Sequence, residues 1–189
     1  IREKYLERAI REMNALTRDI QTCRHCPRGS LMPVLGSGHP QADILLLKHA
    51  PVVSEIEEGV AFYGRAGSAL RKSLSRLDVD PLEVYGTLCV KCPVGDPALA
   101  DPACVSRVAE GIAIVQPRII VVMGEEALAT LNELDLPLAR EVTWQPGVIQ
   151  PLTPTIDAIF TPDVDESLDS EGAKRDFWRA FRALGEWYE

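Results

Sequence analysis

Residues 43–48, "DILLLK", and residues 118–124, "RIIVVMG", decide the fold. Each is a short, unbroken apolar run with no alternation of polar and apolar positions. A strand that is covered on both faces reads this way, as in parallel sheets flanked by helices. Working outward, residues 82–91, "LEVYGTLCVK", and 158–162, "AIFTP", supply two further strand candidates. Between and around them lie helical patterns at 1–20, 68–77, 102–116, 125–134 and 170–188. In the first, Tyr5, Leu6, Ile10, Met13, Leu16 and Ile20 fall near helical spacing, and Ser170 is placed to cap the last. Strands alternate with helices, which predicts an α/β protein: a three-layer α/β/α sandwich around a mostly parallel sheet of about four strands. Ligands of such sheets bind beyond the carboxyl ends of the strands. The segment that follows "DILLLK" is "HAPVVSEIEEGVAFYGRAG", residues 49–67, and it carries the expected pocket.

The 189 residues, 46% hydrophobic and 25% charged, suit a single domain over 1–189. The opening residues mix charge with a helical stripe and do not read as a signal peptide. No apolar run reaches the length of a membrane span, so the expectation is a cytoplasmic protein without a membrane partner. The net charge of −8 gives no global field that steers nucleic acid to the chain, although local basic patches remain possible.

Five cysteines in a cytoplasmic chain point to metal or redox chemistry rather than disulfides. Cys23 and Cys26 form one CxxC pair in a loop; Cys89 and Cys92 form another. Residues three apart in a strand face opposite ways, so Cys89, inside a predicted strand, reads as a small core residue. Cys92, just before Pro93, is free to turn outward. The remaining set is Cys23, Cys26, Cys92 and Cys104. Four thiolates suit zinc or an iron–sulfur cluster, and spacing alone does not choose between them.

Taken in order, the blocks "CRHC", "LGSGHPQADILLL", "GVAFYGRAG", "VYGTLCVKCP", "QPRIIVVMGEEA" and "TP" span nearly the whole chain. In that order the sequence resembles the iron–sulfur, family 4, uracil-DNA glycosylases. The resemblance implies a [4Fe–4S] cluster of structural role held by Cys23, Cys26, Cys92 and Cys104, with zinc as the alternative. It also implies a base pocket built from Ala50, Pro51, Phe62 and residue 88, with Phe62 stacking on a flipped base.

The polar positions differ from that pattern. The family's "GEAPG" is read as Lys48-His49-Ala50-Pro51-Val52, so His49 stands where the acidic residue belongs. Leu88 stands where "TN-x-x-KC" has its asparagine, and leucine cannot read a base edge by hydrogen bonds. Thr161 replaces the histidine of "HP", and no histidine follows His49. Losing such groups commonly costs orders of magnitude in rate.

Two readings follow. One is a weakly active or inactive member of the family with a binding or structural role. The other is an active base-excision enzyme for uracil or another modified base, working through a rebuilt pocket. The segment 163–172, "DVDESLDSEG", with Glu55, Glu57 and Glu58, predicts an acidic pocket rim. Such a rim disfavours DNA, the partner the resemblance implies, and favours a basic protein surface or a cation.

Overall fold

The computed structural model describes residues 1–189. Six strands form one sheet: β1 (Ser37–Gly38), β2 (Ile44–Lys48), β3 (Val84–Leu88), β4 (Ile119–Met123), β5 (Ile149–Pro151) and β6 (Asp157–Thr161). Their order is β1-β3-β2-β4-β6-β5. The four central strands are parallel, and β1 and β5 pair antiparallel at the two edges. The expected sheet of about four strands is therefore the parallel centre of a six-stranded mixed sheet. The missed edge strands are two and three residues long, too short for a periodic signal.

Seven α-helices accompany the sheet: α1 (Arg2–Thr22), α2 (Val53–Glu58), α3 (Arg65–Arg76), α4 (Val105–Val115), α5 (Glu125–Glu133), α6 (Val164–Ser167) and α7 (Glu171–Tyr188). Side chains alternate across a strand, and here both sets are buried. Ile44, Leu46, Ile119, Val121, Met123 and Ile159 pack with α3 and α7 on one face. Leu45, Leu47, Ile120, Val122, Ala158 and Phe160 pack with α4 and α5 on the other. Each face thus has its own apolar cluster, which is why "ILLL" and "IIVV" carry no polar alternation.

Several boundaries differ from the sequence reading. β3 ends at Leu88, so Cys89 lies one residue beyond the strand rather than inside it. It is nonetheless buried in the cluster under α4 and α5. In α1 the stripe is only partly used: Ala9, Leu16 and Ile20 are buried, whereas Tyr5 and Ile10 are exposed. The "GRAG" turn is the start of α3, with Gly64 as its cap in a positive-φ conformation. Ser170 caps α7 as expected, accepting from the Ala173 N–H at 3.4 Å. No helix is long and apolar enough to cross a membrane.

Candidate functional site

The chain crosses from one side of β2 to the other between β3 and β4, which places a topological switch at the carboxyl end of β2. Four residues stand abreast there, in register across the sheet: Leu88, Lys48, Met123 and Thr161. Strands lie about 4.8 Å apart, so this row is roughly 14 Å wide. Residues in register project to the same face, and Leu88 and Met123 lie in the cluster that also contains Phe62. The row lies at the strand ends where the sequence placed a pocket, and all four of its residues are buried.

Lys48 dominates it. Its side chain is fully buried, and Nζ lies 2.6 Å from Glu55 Oε1 and 2.8 Å from Asp165 Oδ2. The same ammonium sits over the Phe62 ring, 5.6 Å from its centroid. A buried cation needs this compensation, since an unpaired one would cost several kcal/mol or about as much in lost charge. Burial opposes the charge, but hydrogen bonds to Asp165 and Glu55 overcome it and raise the Lys48 pKa above its ordinary value.

Glu55 corrects the expected acidic rim. It is fully buried, not at the surface. Besides Lys48 it accepts the N–H of Val52 at 2.9 Å and the N–H of Phe62. One carboxylate thereby fixes both ends of the pocket loop. Asp165, also expected on the rim, reaches in from α6 to Lys48. Asp169 pairs with Arg65 at 3.0 Å. Asp163 caps α6 through the N–H groups of Asp165 and Glu166, and burial raises its pKa. Glu57, Glu58, Glu166 and Glu171 remain exposed.

Phe62 adopts φ 59°, the left-handed region that bulky residues rarely occupy. The bond to Glu55 holds it there. Its ring lies against β3 at Gly86, where a Cβ would come within 2.4 Å of the ring, so only glycine admits it. Phe62 is 9% exposed, Leu88 1%, and both belong to the core cluster. Ala50 and Pro51 are half-buried on the loop after β2. His49 is half-buried, and its carbonyl accepts the Val90 N–H at 2.7 Å. Its Nδ1 is buried without a partner, and so is Thr161 Oγ1.

The cysteines converge from three segments. Cys23 ends α1, Cys26 follows in the loop, Cys92 lies after β3, and Cys104 opens α4. Cys26 Sγ is 3.3 Å from Cys104 Sγ and accepts the Asp101 N–H at 3.3 Å. Buried Arg28 secures the loop, donating to the carbonyls of Gln21 at 3.2 Å and Cys23 at 3.0 Å, and also to that of Leu31. Burial and the neighbouring thiols push Cys92 up to about 11 and Cys104 up to about 12. Gathered thiols repel one another once ionised, and a bound cation inverts that balance. The four side chains do not form a closed set of metal ligands as they stand. Their soft donor chemistry and shared neighbourhood fit a thiolate-held centre, whereas Cys89 faces the core and burial raises it to about 11.

The sequence reading has Lys48 only as a motif position, and Glu55 and Asp165 only as rim acids; their buried ion pair is what it misses. The available signal was a lysine ending an otherwise apolar strand: such a cation demands a buried acid, and Glu55 lies in α2, the next helix along the chain.

Comparison with known proteins identifies the family. The family model described as "Uracil DNA glycosylase superfamily" matches residues 35–181. A type-4 uracil-DNA glycosylase of Pyrobaculum aerophilum is 32% identical over 123 residues, covering 61% of this chain and 62% of that protein. Type-4 uracil-DNA glycosylases of Sulfurisphaera tokodaii and Archaeoglobus fulgidus are 29% and 27% identical over 126 residues. These cover 61% and 62% of this chain, and 56% and 62% of the respective relatives. The chain spans about three fifths of the length of the curated relatives it matches. With four parallel central strands and a family match running from β1 into α7, the chain belongs to the uracil-DNA glycosylase superfamily.

Proposed function

We propose that this chain is a uracil-DNA glycosylase-fold protein whose base pocket is closed by its own lysine, and that it excises uracil slowly or not at all. Its role is then binding or structural. The supporting observation is Lys48: its ammonium lies over the Phe62 ring, where the family resemblance puts a flipped base, and two carboxylates hold it there. The row beside it offers Leu88 and Met123 in place of groups that read a base edge. The chain's own residues thus exclude both water and base from the stacking face.

The thiols of Cys23, Cys26, Cys92 and Cys104 would hold a [4Fe–4S] cluster, with zinc as the alternative. Such a centre would tie α1, the loop after β3 and the start of α4 together, a structural contribution. The Asp101 N–H on Cys26 and the buried Arg28 beside the loop support a thiolate site here.

A second reading has its own support. His49 Nδ1 and Thr161 Oγ1, at two of the family's motif positions, are buried and unpartnered. Buried polar atoms are seldom left so, and a ligand would satisfy them. On that reading the pocket opens for a modified base, with His49 as the base in hydrolysis.

Equilibrium titration with uracil and hypoxanthine tests the first reading, using the wild type and Lys48→Ala with folding checked by circular dichroism. The wild type should not bind. The variant should gain about 1–3 kcal/mol, the worth of base–aromatic stacking. Wild-type binding that is abolished by His49→Ala would favour the second reading.

A further inference from the structure

The molecule is acidic overall, yet its charge is unevenly spread. Helices α3 and α7 together hold eight of the twenty Lys and Arg residues and three of the twenty-eight Asp and Glu residues. They carry a net +5, and the remainder of the chain carries −13. Between them runs an open groove of about 480 Å3, walled on one side by Val164, Ser167 and Leu168 of α6 and its end. Arg76, Lys174, Arg175, Arg179 and Arg182 line it, against one carboxylate, Glu171. All five cations are exposed. Arg179 has Asp176 at 3.3 Å; Arg76, Lys174, Arg175 and Arg182 have no ion-pair partner. Cations usually gather carboxylates on an acidic protein, so four unpaired ones around one groove leave it complementary to a polyanion.

We propose that this groove docks the phosphodiester backbone of a single nucleic-acid strand. The cations of α7 run from residue 174 to 182, about 12 Å of helix, long enough to meet successive phosphates. Four of the five are arginines, whose planar forks bind phosphate through paired hydrogen bonds. Trp178 is half-buried in the same groove with the Arg76 guanidinium 5.9 Å from its ring; Arg76, exposed and without an ion-pair partner, is free to turn to a phosphate and uncover that aromatic face, unlike Lys48, which two carboxylates hold over Phe62. A positive groove with an aromatic platform is the pattern of single-strand binding, and the aromatic separates it from a site for an acidic peptide. The groove also adjoins the pocket: α6 walls it and supplies Asp165 to Lys48. A strand held here would therefore pass the pocket mouth from the flank, away from exposed Glu57 and Glu58. The site stands whether or not the pocket performs chemistry.

Fluorescence anisotropy with a labelled oligothymidylate, across about 50–200 mM salt, tests this on the full chain. The wild type should bind, with affinity falling steeply as salt rises. Arg175→Gln/Arg182→Gln should bind several-fold more weakly. Its log–log salt slope should be shallower by about 1.4, from roughly 0.7 per lost phosphate contact on a single strand. Arg11→Gln, an exposed cation on α1, should change neither. Trp178→Ala should weaken binding without altering the salt slope. An absence of wild-type binding at low salt would overturn the proposal. So would unchanged behaviour in the double variant, tighter binding of duplex than of single strand, or equal competition by polyglutamate of matched charge. Excision activity does not enter these readouts, so failure of the pocket reading and failure of this one are distinguishable.

Discussion

Replacing Lys48 by methionine isolates the buried ion pair on which the pocket depends. The substitution keeps the length of the side chain and removes its charge. Glu55, fully buried, and Asp165, with a side chain 32% exposed, then lose their common cation. Stripping one partner from a buried pair typically costs about 3–5 kcal/mol. Glu55 keeps two backbone N–H donors and Asp165 can turn towards water, so the lower end, about 3 kcal/mol, is expected here. Guanidinium unfolding followed by the fluorescence of Trp144, Trp178 and Trp187 reads this as a lower midpoint at constant slope. Lys48→Met/Glu55→Gln should recover a large part of the loss, because the carboxylate left behind is what costs. Asp165→Asn alone should cost about 1 kcal/mol, a value reduced by its exposure to solvent. Additive single and double variants, with no coupling between Lys48 and Glu55, would refute the reasoning. Lys48 should also make the fold sensitive to alkali. Its raised pKa supplies stability that is full below the unfolded lysine value and is lost as pH rises through the folded one.

Other outcomes follow from the same geometry. Protein purified without oxygen should be brown and contain iron and sulfide; Cys92→Ala should lose both and unfold more easily, whereas Cys89→Ala should stay coloured. Colourless protein with stoichiometric zinc would rule out the cluster. Phe62→Ala should lower stability by about 3 kcal/mol, since its ring fills the space over Gly86, and a melting curve measures it. Asp163→Asn keeps a cap acceptor for α6 but removes a carboxylate whose pKa burial has raised. A raised acid favours folding when protonated, so wild-type stability should fall relative to the variant as pH rises from below 3.8 through the folded pKa. Paired denaturation curves across that range test the sign.

The parts of the fold that were legible in the sequence are those with a strong local pattern. Continuous apolar runs at 44–47 and 119–122 announced strands buried on both faces, and the CxxC pair with Cys92 and Cys104 marked thiols of which two, Cys26 and Cys104, lie 3.3 Å apart. Edge strands β1 and β5 were not legible, because two or three residues that include glycine or proline show no period. Helices α2 and α6 were hidden for a related reason: six and four residues, half of them acidic, read as loop. The acidic rim was partly misread because composition does not say which carboxylates have a buried partner. Lys48 and Asp165 are 117 residues apart, and only the closing of the sheet brings them together. Likewise the basic groove draws its cations from α3 and α7, which are distant in sequence and adjacent in space.

Single-turnover incubation of the wild-type protein, purified without oxygen, with uracil-containing oligonucleotides, single-stranded and duplex, tests the closed pocket most directly. With Lys48 over the Phe62 ring, and with Leu88 and Thr161 in place of asparagine and histidine, abasic product should form very slowly or not at all. Rapid, complete excision of uracil would contradict the account, because it requires the space above Phe62 to be open to a base.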